Sequence, residues 1–472
     1  MFSCQPNLEN LPTEIQLSIF SQLPRHNLAQ LARTSKHLSD AVIPLIWSDI
    51  EFHSVGFHKS SSELNVPPPV RSPDSRKCHT GKGYNNGEMK AEAFFTTLQT
   101  LHVENPDRME HVAKRIKHLC TVVHPQWLPR TRGHTIIYPY PDAIRVWGLL
   151  PYMTNLESLE IHGSSLYRGD EAGDPLQQLH GPTPRLQFAK LSGYIPRPVP
   201  AWVLKADTLE RLELAMLDRP ISMYDCPRFA PLPHEKLKRE DDDENSEADS
   251  DDESDWGSLR GEAVIPRPLG GFLSPYQDKG LKLPKLTHLY LPQPAESDYE
   301  VSFHQYTCST RAERACHSDW RQILQASLPT LKTLVLEQRP AARYYDYRGI
   351  PEMEWMENRT TPAASRNLLN MVQKVLEADR SQGPLQCVYL YGIFIGELDE
   401  EDGLPDPAGR SCQFMQFLQS CGVECEARVG QRCFFDNGDG RAMWDACCDS
   451  EDEDEDEDCD RCLKWDDVLC IV

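Results

Sequence analysis

No stretch of the 472 residues approaches eighteen consecutive apolar positions, and the opening MFSCQPNLENLP lacks the basic cluster and apolar run of an export signal. A spanning helix needs about twenty apolar residues, so neither membrane insertion nor secretion is expected. Cys470 stands third from the end, one place short of a prenylation box. Also missing are a phosphate-cradling GxxxxGK[ST] loop, an HExxH pair and a GxSxG elbow. No His or acid is placed by spacing beside any of the cysteines, so no catalytic residue is assigned. The hydrophobic share, 39%, is low for a globular chain, and 37 prolines imply many interrupted segments.

Base is scarce where acid is dense. Residues 240–255 and 445–460 each hold 11 acids and no base, which accounts for nearly all of the formal net charge of −23. The rest of the chain is close to neutral, and the two blocks, self-repelling and poor in apolar residues, cannot pack a core. Nucleic acid is a poor partner for such a surface. Ser246, Ser250 and Ser450 each have an acid three residues on and resemble sites of acidophilic kinases; the alternative is plain solvated segments.

With no export signal, the 16 cysteines are expected as reduced thiols in the cytoplasm, the nucleus or both. Half lie in the last 52 residues, where Cys459-x-x-Cys462 and Cys421-x3-Cys425 have spacings that zinc would accept. Against zinc, Cys421 follows a helical run, Cys425 sits in an alternating stretch, and the acidic run 451–458 separates the CxxC from any scaffold. No metal and no cofactor is assigned. His162, His288 and His304 fall at or near expected strands, where satisfied polar or core roles are the commoner fate.

The chemistry that is present begins between Leu11 and Trp47. Pro12 suits a helix start, Pro24 suits a stop, and Asn27 and Ser35 stand where caps belong. Ile15, Ile19 and Leu23 share a helical face, which Leu17 and Phe20 widen. Three short helices with this much apolar surface exceed what about forty residues bury alone, so a partner is expected. The bland alternative is a helical subdomain packed on its own chain.

The order Leu11-Pro12-x-Glu14-Ile15, Ile19-Phe20, Leu23, Leu28, Leu31, the Thr34-Ser35-Lys36 turn and Trp47 resembles an F-box. The resemblance implies docking onto a Skp-type adaptor, through it onto a cullin, with the remainder selecting a protein substrate. The residues it assigns to the adaptor are Leu11, Pro12, Glu14, Ile15, Ile19, Phe20, Leu23, Leu28, Leu31 and Trp47. Transferase chemistry would belong to other subunits.

Beyond Trp47, residues 48–52 alternate as a strand does, and 60–90 is rich in Ser, Pro, Gly and Asn, as linkers are. Phe94-Phe95-x-x-Leu98 and His111 to Leu119 carry helical spacing. A pattern apolar-x-x-apolar-x-apolar then recurs from Leu156, Leu209, Leu286 and Leu331, with looser copies from Leu186 and Leu385. Pro184, Pro284, Pro329 and Pro384 mark turns just ahead of it. In a leucine-rich repeat the last two positions of this pattern point from a strand into a shared core. The steps between copies are irregular, against about 20–29 residues in regular repeats, with 219–280 as the clearest insertion.

The expected fold is α/β, a three-helix F-box (8–52), a flexible linker (53–90), and an irregular leucine-rich-repeat-like solenoid of parallel strands (91–430). A disordered acidic insertion lies at about 232–258, and an acidic, Cys-rich segment (431–472) follows. A helix-only solenoid is the alternative. Leu159, Leu212, Leu289 and Leu334 should lie side by side in one core, with Glu160, Glu213, Tyr290 and Val335 facing outward. The combination resembles F-box proteins of filamentous fungi. It implies a non-catalytic substrate-recognition subunit, with two alternatives: an F-box protein outside any ligase, and an acidic chaperone or histone-binding protein.

Overall fold

The computed structural model describes residues 8–23, 25–52, 84–123, 144–163, 179–182, 185–218, 221–222, 264–265, 267–273, 280–295, 310–343, 362–378, 383–393, 410–428, 433–436 and 441–443. The acidic blocks, Pro24, Pro184, His304, Cys459 and Cys462 lie outside them. Three short helices come first, α1 (Thr13–Phe20), α2 (Arg25–Leu31) and α3 (Lys36–Ser48). Pro12 is the N-cap of α1, where a missing N–H costs nothing. Ser35 caps α3, its Oγ accepting the Leu38 N–H at 3.2 Å. Asn27 is not a cap: it is the third residue of α2, which starts at Arg25, so its side chain stands past the position from which it could cap the first turn. The module has its own small core of Phe20, Leu28, Leu38 and Val42.

α3 runs straight into β1 (Asp49–Phe52), the edge of a large sheet. β2 (His118–Val123), β3 (Ser158–Gly163), β4 (Phe188–Tyr194) and β5 (Arg211–Leu217) follow in order. After the small antiparallel pair β6 (Ile221–Ser222) and β7 (Val264–Ile265), the sheet resumes with β8 (His288–Ala295), β9 (Thr333–Arg343), β10 (Cys387–Tyr391) and β11 (Glu424–Arg428). Each of these sheet strands pairs parallel with the next. β12 (Cys433–Asp436) adds parallel to the far end of β9, with β13 (Arg441–Met443) antiparallel beside it.

The repeated apolar pattern sets the register. Ile50, Leu119, Leu159, Ala189, Leu212, Leu289, Leu334, Val388 and Cys425 are Cα partners in unbroken succession across nine strands. The first apolar position of the pattern is fully buried at Leu156, Leu186, Leu209, Leu286 and Leu331 and partly buried at Leu385. The residue after it donates its backbone N–H to the equivalent carbonyl one strand earlier: Gln187 to Glu157, Glu210 to Gln187, Thr287 to Glu210 and Lys332 to Thr287, all at 2.8 Å. These bonds satisfy backbone groups just ahead of each strand. The irregular sequence steps are therefore taken up between the strands and leave the ladder intact.

Helices α4 (Tyr84–Glu104), α5 (Pro106–Ala113), α6 (Pro198–Val203), α7 (Thr310–Ser327), α8 (Pro362–Ala378) and α9 (Arg410–Ser420), with a 3₁₀ turn at Val146–Tyr152, connect the strands. Their apolar residues, among them Phe95, Leu98, Met109, Trp147, Trp202, Trp320, Leu368 and Phe414, join the ladder positions in one continuous core. Two expectations change here. α5 ends at Ala113 and Leu119 lies on β2, because Leu119, Thr121 and Val123 alternate toward the core as strand residues do. α4 begins at Tyr84, inside the stretch that reads as linker.

The second face of the sheet also differs from expectation. Glu160, Glu213, Tyr290 and Val335 do share one face, in register with Lys190, but all are buried, at 0–3% exposure. Alternation fixes which side of a sheet a residue takes, not whether solvent lies beyond it. The face answers burial with pairing. Lys190 Nζ lies 3.5 Å from Glu213 Oε1, Tyr290 donates its hydroxyl to Glu337, and Arg339 pairs with the same carboxylate at 2.9 Å.

Candidate partner-docking site

α1 divides its surface sharply. Gln16 and Phe20, four residues apart, form its inner face and are 1% and 0% exposed. Ile15 and Ile19 form one flank and Leu17 the other, at 50%, 40% and 39% exposure. Among the described residues only Met89 and Val103 are also large, hydrophobic and comparably exposed, so most such surface is concentrated on one two-turn helix.

Gln16 explains how that helix is held. Its Nε2 lies 3.1, 3.2 and 3.0 Å from the carbonyl oxygens of Leu8, Glu9 and Leu11, which straps the preceding 3₁₀ turn (Leu8–Asn10) onto α1. The strap fixes the chain direction into Pro12, whose carbonyl accepts from Ile15 and Gln16, both at 3.0 Å. Sequence reading passed over this glutamine. Its spacing of four from Phe20 was the available signal.

The ten residues assigned from the resemblance fall into three groups. Pro12, Glu14, Ile15 and Ile19 are exposed on α1 or at its start, with Leu11 half-buried beside them. Phe20 and Leu28 are sealed in the module's own core, with Leu23 and Leu31 packed half-buried around it. Trp47 is turned the other way, packed against the large core with its ring 6.0 Å from that of Phe94. The structure thus brings together a surface set, a shaping set and one residue that joins the module to the sheet.

Other candidates resolve into structural roles. His162 Nδ1 meets Ser192 Oγ at 2.9 Å. His288, beside Thr287 Oγ1, is lowered to about 4 by burial and by Arg211 and Lys332, so it is neutral at pH 7. Cys421 is exposed after α9, whereas burial, and secondarily Glu426, push the Cys425 thiol up to about 12. Among the described residues no cluster of three His, Cys, Asp or Glu side chains is set to hold a metal. No described helix is long and apolar enough to cross a membrane.

Residues 8–53 match the F-box-like family, so the three-helix module and its handover into β1 form an F-box-like domain. No curated protein matches the chain.

Proposed function

We propose that this chain is a substrate-recognition subunit of a Skp-cullin-F-box ubiquitin ligase. Its α1 surface docks onto the Skp-type adaptor, and the sheet region presents a protein substrate. The observation that carries the reading is the exposed apolar set Ile15, Leu17 and Ile19 on the first helix of an F-box-like domain. Pro12, Glu14, Ile15 and Ile19 make the direct contacts, with Leu11, Leu23 and Leu31 at their rim. Phe20 and Leu28 shape the surface from within, and Trp47 fixes the module to the rest of the chain. No catalytic step falls to this chain. We read the sheet region as an irregular leucine-rich-repeat-like solenoid. The register of its apolar positions and the backbone bonds ahead of successive strands support that reading.

The test compares two neighbours on α1 in the full chain. Ile19→Asp changes a partly exposed position, so its folding cost should stay within about 0.5 kcal/mol. In a docked interface the same change puts an unpaired charge against apolar surface and should cost several kcal/mol. Phe20→Ala, from a core of four buried residues, should instead lower stability by about 3–5 kcal/mol. A pull-down in which Ile19→Asp keeps normal adaptor binding overturns the docking assignment. Adaptor binding without cullin co-purification would move the protein outside the ligase.

A further inference from the structure

Beyond the C-terminal ends of β4 and β5 lies a cleft of about 400 Å³, lined by Arg197, Asp218, Arg267, Arg311 and the small residues Gly270, Gly271, Ala312 and Ala315. Its walls are built from segments far apart in sequence. The strip Arg267–Gly271 runs back along the end of β5, where Asp218 N–H donates to the Arg267 carbonyl at 2.8 Å and Leu269 N–H to that of Met216 at 3.0 Å. On its other side the strip lies against α7. A Cβ on Gly270 would stand 2.3 Å from the Cys316 backbone nitrogen, so only glycine permits that approach. Asp319 of α7 completes the attachment by accepting the N–H groups of Phe272 at 3.0 Å and Leu273 at 3.3 Å.

Among the described residues, three guanidiniums and one carboxylate line this frame. Arg197 is positioned twice, by Nε to the Gly270 carbonyl at 2.8 Å and by Nη2 to Asp218 Oδ2 at 2.5 Å. Arg267 reaches the same Asp218 oxygen at 3.6 Å. Arg311, exposed in the first turn of the 18-residue α7, forms no ion pair with any described residue. Among the described residues of the lining the cations outnumber the carboxylate, with Asp319 near enough to Arg197 to feel its charge and Glu313 in the first turn of α7, where the helix terminus adds partial positive charge. Planar guanidiniums held in place are suited to an anionic group that can take paired hydrogen bonds. The four small lining residues leave room for it.

We propose that this cleft is the subsite that reads an acidic side chain of the protein substrate, a carboxylate or a phosphorylated residue. Asp218 orients Arg197 and Arg267, and Arg311 supplies the third contact. The proposal rests on the recognition-subunit reading and names what that subunit recognises.

Binding of labelled short peptides to the full chain tests it by fluorescence anisotropy, using a glutamate-rich peptide, its phosphoserine counterpart and a lysine-rich control. Residues 240–255 are tethered between Asp218 and Arg267, so the titration is repeated on a full chain carrying their acids as amides. Arg311→Gln, at an exposed position, should weaken binding of the acidic peptides about tenfold. Arg267→Gln should weaken it at least as much. Both variants should keep normal adaptor binding, so a fault in this cleft is separable from a fault in the docking assignment. Binding of the phosphoserine peptide alone identifies a phosphoryl group as the ligand; binding of both identifies carboxylate as sufficient. No binding of either acidic peptide to either chain, equal binding of the lysine peptide, or unchanged affinity in Arg311→Gln overturns the proposal.

Discussion

Replacing Lys190 by methionine measures how completely the second face of the sheet is closed. Lys190 is fully buried and Glu213 nearly so, their charged atoms 3.5 Å apart, and Glu160 holds the register position on the other flank of Lys190. Were this an exposed face, the pair would be worth about 0–1 kcal/mol and Lys190→Met would scarcely register. In a buried setting, removing the cation leaves carboxylates without their countercharge, which costs about 3–5 kcal/mol. Methionine keeps much of the lysine stem, so lost packing adds little. Replacing both members, Lys190→Met with Glu213→Leu, should recover a large part of the loss, since a well-packed apolar pair avoids desolvating two ions. Urea unfolding followed by the fluorescence of the buried tryptophans, Trp147, Trp202 and Trp320, provides the free energies. A single-variant loss below about 1 kcal/mol would refute the closed face.

Asp319 should give the fold a distinct pH response. Burial raises its pKa from 3.8 to about 6, partly opposed by the N–H groups of Phe272, Leu273 and Gly271 and by Arg197. The folded state therefore holds this proton more tightly than the unfolded chain. The associated stability is fully present below about pH 4 and is lost as pH rises to about 6, by up to about 3 kcal/mol. Asp319→Asn should remove that component, and a parent-minus-variant stability difference that stays flat between pH 4 and 7 would contradict it. In the native chain at pH 8, iodoacetamide should alkylate Cys421 and leave Cys425 untouched, because a thiol raised to about 12 is about one part in ten thousand thiolate there. Equal labelling by mass spectrometry would show that Cys425 is not held as described.

How much of this could be read beforehand follows from what periodicity encodes. The pattern from Leu209 to Leu214 told correctly which atoms face the core, because a strand's two-residue alternation leaves few alternatives. The same logic missed β2, since Met109, Ala113 and Ile116 continue a helical spacing almost to Leu119, and Thr121 fills the third apolar position. It could not tell that Glu160 and Tyr290 would be buried, because a local pattern carries no information about what lies over a face. Gln16 was hidden by its polarity, although its place on the helix marked it as inward. The charged residues of the cleft were beyond reach altogether: Arg197, Asp218, Arg267 and Arg311 meet only after two strands, a returning strip and a helix are in place.

The handover from α3 to β1 bears on the proposed role as a recognition subunit. A flexible tether after the helical module would let the docking surface and the sheet take many relative orientations, and each would dilute productive placement of a bound substrate. Here the helix ends at Ser48 and the strand begins at Asp49, with no intervening residue. Ile50 enters the apolar ladder, Trp47 and Phe52 pack their rings on Phe94 at 6.0 and 5.7 Å, and Lys117 N–H bonds the Ser48 carbonyl at 2.8 Å. Bending the chain at this point would break aromatic packing and the first rung of the sheet together, so the module is held in register with strands that continue to the cleft. The surface carrying Ile15 and Ile19 and the cleft carrying Arg197 and Arg311 are thus joined through one continuous sheet, and their separation is set by strand spacing instead of by linker length.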